Sequence, residues 1–408
     1  GAGPAAIPVL EALDQKGALM QLVPEWANVR SRPQRNAYHR FNVDRHLCEA
    51  AAQAAGMAAR VRRPDLLLIG AWLHDIGKGL PGDHSVAGAE VVERITARMG
   101  FPRADVDVLV TLTRHHLLLA DAATRRDVTD PTTVEAVAAA VGSSGTLELL
   151  HALTEADSIA TGPSAWSPWK AGLVTQLVNR TAKALATGVV PAGGAEVFPG
   201  PAHRDLIEEA REAADVVVRP SGRTLALAAP DRPGLFSRVA GTLALHSLDV
   251  LVARVGASDD GVAVEEFQVE PVFGGDPDWA AFEADLRRVL TGRLSLEARL
   301  AERSRTYSGA SSRPTAATPA RTAVTVDNDA SAAATVLEVR APDRIGTLYR
   351  ITRALADLAL DIRHATVASL GHEVVDAFYV VDAEGSKLVD PDHRREVERA
   401  VVVELSRA

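Results

Sequence analysis

Cysteine, long apolar runs and signal sequences are scarce in this chain, and each scarcity excludes a class of protein. The single cysteine, Cys48, cannot form an internal disulfide, which fits a reducing cytoplasm. The longest apolar runs, such as 66–73, fall well short of the ~20 residues of a membrane span. Residues 1–7 show no basic region followed by an apolar stretch, so we expect no secretory signal. The composition therefore predicts a soluble, cytoplasmic protein without a membrane partner.

Excess positive charge is also absent. The formal net charge is −9, whereas proteins that bind the phosphate backbone of nucleic acids concentrate lysine and arginine. We therefore expect no nucleic-acid partner. A protein or a small molecule is the favoured partner.

The length of 408 residues exceeds what one hydrophobic core supports, so several domains are expected. Helical apolar spacing dominates the first half, and β-rich segments alternate with helices after residue 223. Stretches rich in proline, glycine, alanine or serine mark the boundaries. The predicted segments are an all-α domain at 1–190, a connector at 191–222, an α+β domain at 223–303, a flexible linker at 304–334 and a second α+β domain at 335–408.

Helix start signals place the main helices of the first half. Asn42 is the predicted N-cap of a helix that continues through His46, and Pro64 opens an apolar helix expected to end near Gly79. A later helix is expected to cover about 146–159.

The second half contains an internal repeat. Residues 227–255, LAAPDRPGLFSRVAGTLALHSLDVLVARV, and 339–367, VRAPDRIGTLYRITRALADLALDIRHATV, share APDR, the following glycine and an LD pair. Each copy reads strand, turn, helix and strand, with a further strand at 265–269 or 376–380. This order predicts a split βαβ sandwich with helices on one face of an antiparallel sheet.

Histidines concentrate in the helical half. They are His39, His46, His74, His84, His115, His116 and His151. The sharpest feature is the His74-Asp75 pair in LLLIGAWLHDIGKGL, because burying an unpaired imidazole and carboxylate at the end of an apolar helix is costly. A bound cation would remove that cost.

Separate helices of a bundle can aim such side chains into one metal site. The predicted metal ligands are His46, His74, Asp75, His84, His115 and Asp157. The nitrogen and oxygen donors favour one or two ions of magnesium, manganese, iron or zinc in an open site. In a phosphoester hydrolase, such an ion would polarise the phosphoryl group and lower the pKa of a bound water. Asp75, Lys78 and His116 are the predicted catalytic residues; Lys78 would meet a phosphate oxygen, and His116 would contact the phosphate or support the ligands. We expect His39 and His151 to be surface or structural residues.

The pattern His, His-Asp, Asp, met by His46, His74-Asp75 and Asp157, resembles the HD superfamily of metal-dependent phosphohydrolases. The PDRxG repeats resemble ACT domains, amino-acid-binding modules that pair side by side, so the expected architecture is an all-α HD domain followed by two α+β, ferredoxin-like ACT domains. In that family the effector sits at the turn between the first strand and the helix. The implied effector residues are Asp231, Arg232, Gly234, Leu235, Asp343, Arg344, Gly346 and Thr347. Ordinary turn chemistry and helix capping also explain these residues.

One HD domain followed by two ACT domains is similar to the bifunctional uridylyltransferase/uridylyl-removing enzymes of the PII nitrogen-signalling protein. PEWANVRSRPQRNAYHRFNVDRH and LTEADSIATGPSAWSPWK resemble that family's local sequence. The resemblance implies removal of a nucleotide from a tyrosine of PII, stimulated by glutamine. The family's nucleotidyltransferase is absent, so no transfer activity is expected. A homodimer through the ACT domains is a further expectation.

Alanine, arginine and valine bias resembles actinobacterial sequences, whose related enzymes are associated with adenylyl groups, so UMP and AMP both stay open. Two other functions stay open as well. A guanosine tetraphosphate hydrolase of the stringent response also joins HD and ACT domains, but that family would place a synthetase between them. A non-catalytic amino-acid sensor with a degenerate HD domain is the other alternative.

Overall fold

The computed structural model describes residues 1–34, 40–162, 165–190, 198–258, 260–308, 322–370 and 373–406. The chain forms two units, one of residues 1–124 with 133–192 and one of residues 125–132 with 193–408. His39 lies outside the described residues, so its predicted structural role stays a prediction.

The first unit is helical, as predicted. Short 3-10 turns cover Gly3–Ala5, Pro24–Asn28 and Ala58–Arg60. The α-helices are α1 (Ala6–Gln15), α2 (Ala18–Leu22), α3 (Val43–Gly56), α4 (Pro64–Leu73), α5 (His84–Arg98), α6 (Arg103–Arg114), α7 (Leu118–Arg125), α8 (Pro131–Val141), α9 (Ser144–Thr161) and α10 (Pro168–Thr187). Helix α3 packs on α4 and α9, and the buried Trp26 ring stacks on Trp72 with centroids 5.3 Å apart.

The predicted starts of two helices are confirmed. Asn42 occupies the N-cap position of α3, and Pro64 is the first residue of α4. The expected end of α4 near Gly79 is wrong, because the helix ends at Leu73 and the chain then turns tightly. The His74-Asp75 pair therefore begins a turn and does not lie inside a helix.

The second unit is built on one eight-stranded antiparallel sheet. Its order is β1-β2-β4-β3-β7-β8-β6-β5. The strands are β1 (Val217–Ser221), β2 (Thr224–Pro230), β3 (Leu248–Ala257), β4 (Val262–Pro271), β5 (Ala323–Asp327), β6 (Thr335–Pro342), β7 (Asp361–Leu370) and β8 (Glu373–Val381). The α-helices are α11 (Arg204–Ala213), α12 (Leu235–Leu245), α13 (Trp279–Leu290), α14 (Leu296–Ser308), α15 (Thr347–Asp357) and α16 (Pro391–Ser406).

The two repeats lie side by side within the chain. Strand β3 of the first copy pairs with β7 of the second, with Val252 opposite Thr366. Leu227 and Phe267 of the first copy share one core with Val339 and Phe378 of the second. The predicted order of strand, turn, helix, strand and strand is confirmed in both copies.

The sequence did not predict what covers the opposite face of the sheet. Leu206 and Ala210 of α11 pack there against Ala228 and Val264. The predicted connector 191–222 therefore contains both α11 and β1.

The predicted linker 304–334 is also wrong at its ends, because α14 continues to Ser308 and β5 covers Ala323–Asp327. Residues 309–321 of that linker lie outside the described residues. The second unit also takes in 125–132, where the backbone N–H of Asp127 donates to the Tyr379 hydroxyl at 2.7 Å.

None of the single helices in the described part of the chain has both the length and the apolar character to cross a membrane; only the bent pair α8 and α9 meets that criterion in combination.

A buried carboxyl group lies inside the core of the second unit. Glu265 of β4 is 1% exposed and lies on the same face of the sheet as the core residues Ala263 and Phe267. Burial, reinforced by the charge of Asp231, raises the pKa of Glu265 to about 8. The folded protein therefore holds a proton on Glu265 at neutral pH that the unfolded chain releases.

Glu265→Gln is expected to remove a pH-dependent part of the stability. Because the folded chain binds a proton that the unfolded chain loses above the ordinary glutamate pKa of 4.5, the free energy of unfolding of the wild type should fall as pH rises towards about 8. The variant should be more stable than the wild type at pH 8, by roughly 2 kcal/mol or more, and the difference should shrink towards pH 5. Thermal unfolding between pH 5 and 9 measures this. Glu270→Gln, an exposed position on the same strand, is the control, and equal pH dependence in Glu265→Gln and the wild type would contradict the assignment.

Candidate metal centre

A cluster of histidines and aspartates lies in the first unit where several helices meet. It is formed by His46 on α3, His74 and Asp75 in the turn after α4, His84 at the start of α5, His116 just after α6, and Asp157 on α9.

The turn after α4 brings α5 to the cluster. Backbone hydrogen bonds from Ile76 to Leu73 and from Lys78 to Asp75 tighten it. A Cβ atom at Gly77 would lie 2.1 Å from the carbonyl oxygen of His84. Only glycine permits this approach, which places the His84 ring beside Asp75.

The first set of possible ligands is His46, His74 and Asp75, with Asp157 beside them. Asp157 Oδ1 lies 2.9 Å from His46 Nε2 and 3.4 Å from His74 Nε2. Asp75 Oδ2 lies 3.5 Å from His74 Nε2 and 3.8 Å from His46 Nε2. The side chains of His46, His74 and Asp75 are almost completely buried.

The second set shares Asp75 with the first. Asp75 Oδ1 lies 3.4 Å from His116 Nε2 and 3.6 Å from His84 Nε2. Within each set the candidate ligand atoms lie no more than 4.8 Å apart. The two oxygens of one buried carboxylate therefore face two different groups of imidazoles.

Backbone carbonyls orient two of these rings. The Nδ1 atom of His74 lies 2.9 Å from the carbonyl oxygen of Ala71, and that of His116 lies 2.8 Å from the oxygen of Thr113. Because a carbonyl oxygen only accepts, each Nδ1 carries the proton. Each Nε2 is then turned towards the carboxylates, which is the arrangement of a metal-ligating histidine.

The electrostatics of the cluster favour a bound cation. Burial by itself would lower the pKa of His74, but the carboxylates of Asp75 and Asp157 outweigh it and raise the pKa to about 10. Burial likewise opposes ionisation of the two aspartates, yet the His74 imidazole holds the pKa of both well below the usual range, helped at Asp75 by Lys78. The distances of 3.4–3.8 Å from Asp75 to the imidazoles are also longer than good hydrogen bonds. The residues therefore fit a divalent ion held by nitrogen and oxygen donors.

The structure places His116, and not the predicted ligand His115, among the possible metal ligands. His116 is 2% exposed and belongs to the second set, whereas His115 is half-buried and belongs to neither set of described residues. The reason lies in α6, whose buried side includes Leu109, Leu112 and Thr113. His116 continues that side three residues after Thr113, so helical spacing alone could have distinguished the two histidines.

Lys78, the predicted phosphate contact, lies beside the cluster. Its Nζ atom is 2.5 Å from Asp75 Oδ2 and 2.8 Å from the Oε1 atom of Gln34. Nothing in the sequence pattern pointed to Gln34, which is 44 residues away from Lys78. His151 lies on α9 and is half-buried outside both sets.

The PDRxG turns of the second unit have the geometry of helix starts. Gly234 and Gly346 have φ values of +77° and +83° and occupy the N-cap positions of α12 and α15. The turns differ in their surroundings, because a Cβ atom at Gly346 would lie 3.3 Å from Leu300 of α14, whereas the nearest atom to one at Gly234 belongs to Ser237 of its own helix.

The remaining predicted effector residues differ in their exposure to solvent. Leu235 and Thr347 are buried, and the charged residues of both turns, Asp231, Arg232, Asp343 and Arg344, are exposed.

Comparison with known proteins agrees with this architecture. The HD domain family model matches residues 43–161, and a model described as "ACR9-like, ACT-like domain" matches 323–408. A "Bifunctional uridylyltransferase/uridylyl-removing enzyme" of Streptomyces coelicolor is 43% identical over 95% of this chain and 51% of its own length. Relatives with the same name in Mycobacterium tuberculosis and Rhodospirillum rubrum are 41% and 31% identical, each over 93% of this chain and 48% and 47% of their own lengths.

The chain spans about half the length of the curated relatives that it matches. It therefore contains an HD domain and an ACT-like C-terminal region, and its sequence is similar to the C-terminal half of the bifunctional uridylyltransferase/uridylyl-removing enzymes.

Proposed function

We propose that the first unit hydrolyses the phosphodiester that joins a nucleotide to a tyrosine of PII signal protein, and that the second unit binds glutamine as the effector of this reaction. The observation that carries the proposal is the Asp75 carboxylate, whose two oxygens each face a set of imidazoles. The names of the relatives favour a uridylyl group, so UMP is the first product to seek and AMP is the second.

The cluster would hold two divalent ions of magnesium, manganese or iron. His46, His74 and Asp157 would hold one, His84 and His116 the other, and Asp75 both. The chemistry that bound divalent ions would supply is polarisation of the phosphoryl group and a lower pKa for water.

Side chains of the chain itself would orient the substrate. The Lys78 ammonium, next to Asp75, would receive a phosphoryl oxygen and balance its negative charge. His84 is the more exposed imidazole of the second set, with 31% of its side chain accessible. Burial lowers the pKa of His84, which favours the neutral imidazole that can act as a metal ligand.

A cleft beside the second PDRxG turn supports an effector role for the sheet. It has a volume of about 320 Å³, and Arg344, Thr347 and Arg350 line it. A guanidinium group can bind the carboxylate of an amino acid through two parallel hydrogen bonds. Glutamine would thus bind with its carboxylate towards these arginines.

Replacement of His116 or His115 by alanine separates the two assignments of the second ion. His116→Ala is expected to lower manganese affinity at one of two sites by at least roughly tenfold, because one imidazole ligand is lost. His115→Ala should leave both sites intact, since its ring lies outside the cluster. Manganese titration of the metal-free protein measures both variants, and equal losses would contradict the assignment of His116.

Nucleotide release from modified PII tests the reaction. With manganese, the wild type should release UMP or AMP, identified by mass, and glutamine should raise the rate. His74→Ala should abolish release because it removes a buried ligand, whereas His115→Ala should retain it.

Two results would contradict the proposed reaction. One is a protein with two tightly bound ions that leaves modified PII intact; hydrolysis of guanosine tetraphosphate would then be the next reaction to assay. The other is release that is unchanged in His74→Ala. Release that is insensitive to glutamine would remove the effector role alone.

A further inference from the structure

Residues 28–34 form a strap beside the metal centre, and two hydrogen bonds from backbone N–H groups attach it to the helix that carries His46. The N–H of Ser31 donates to Asp44 Oδ2 at 2.6 Å. The N–H of Val43 donates to the carbonyl oxygen of Arg32 at 2.9 Å. The strap is therefore held against the first turn of α3.

The side chain of Arg32 attaches the same strap to the turn that carries Asp75. Its Nε atom donates to the carbonyl oxygen of Asn28 at 2.9 Å, and its guanidinium lies across Gly79. A Cβ atom at Gly79 would lie 2.5 Å from Arg32 Cζ, and the φ angle of Gly79 is +112°. The positive φ angle favours glycine at this position, because a side chain there would strain the backbone. The strap and the turn therefore have a fixed spacing.

This spacing places Gln34 against Lys78. The Lys78 ammonium lies 2.8 Å from Gln34 Oε1 and 2.5 Å from Asp75 Oδ2. An ammonium group only donates, so the amide of Gln34 must present its oxygen. Two of the three ammonium donors are thereby directed, and no acceptor among the described residues takes the third, which can therefore meet an anion. Without Gln34, the flexible four-carbon stem of Lys78 would lose one of these two anchors.

We propose that Gln34 is a positioning residue that holds the Lys78 ammonium in the orientation that receives the phosphoryl group of the substrate. This inference rests on the proposed phosphodiester hydrolysis only for the identity of the anion. The role of Gln34 is to act through Lys78, so its effect must disappear when Lys78 is absent.

A double-mutant cycle of Gln34→Met and Lys78→Met tests this coupling. The measured quantity is the Kd of inorganic phosphate for the manganese-loaded protein, determined by calorimetry, with kcat and KM for nucleotide release measured in parallel. Gln34→Met is expected to weaken phosphate binding by roughly tenfold, because a hydrogen bond to a charged group is lost. In the Lys78→Met background the same change should have almost no effect. Gln53→Met, a partly buried glutamine on α3, is the matched control and should bind phosphate as the wild type does.

Melting temperature and manganese content separate positioning from structural damage. Both should match the wild type in Gln34→Met. If that variant loses metal or unfolds, Gln34→Asn replaces it in the cycle, because it keeps an amide but withdraws it from the ammonium. The same loss of phosphate affinity, confined to the background that contains Lys78, is then expected.

Additive losses in the cycle, or wild-type phosphate affinity in Gln34→Met, would overturn the role of Gln34 whatever the substrate is. A manganese-loaded wild type that binds no phosphate would overturn it as well. A coupled cycle in a protein that leaves modified PII intact would instead support Gln34 and overturn the proposed substrate.

Discussion

The arrangement of the first unit depends on one buried carboxylate. Asp75 is 2% exposed, and burial of a charge is costly unless it is paired. Its Oδ2 atom faces the imidazoles of His46 and His74, and its Oδ1 atom faces those of His84 and His116. Helices from distant parts of the sequence supply these partners. The side chains of the site therefore come together only when the helices of the bundle are packed.

Glycines and backbone carbonyls give this cluster its geometry. Gly77 lets α5 approach the turn, Gly79 lets Arg32 lie across it, and carbonyl oxygens fix the rings of His74 and His116. Lys78 then occupies the position between Asp75 and Gln34. Groups that carry no reactive chemistry thus decide where the reactive ones lie. Each unit buries an acidic side chain, but with opposite results. Burial raises the pKa of Glu265 inside the sheet, whereas the neighbouring His74 and Lys78 lower the pKa of Asp75.

The sequence predicted the parts of the fold that follow from periodicity. The helical half, the paired repeats and the starts of α3 and α4 needed only apolar spacing and caps. It did not predict the short edge strands β1 and β5, because β1 contains Pro220 and is largely exposed, so alternation is weak there. Among the site residues, the exchange of His115 and His116 followed from misreading the end of α6. Gln34 depends on a contact across 44 residues, which no local pattern records.

The most direct test of the shared carboxylate is the manganese content of Asp75→Asn and Asp157→Asn after equilibration and dialysis. If Asp75 serves both sets of imidazoles, the wild type holds two ions per chain, Asp157→Asn holds one, and Asp75→Asn holds none while remaining folded. A wild type with a single ion, or an Asp75→Asn variant that keeps the same ions as the wild type, would contradict the account.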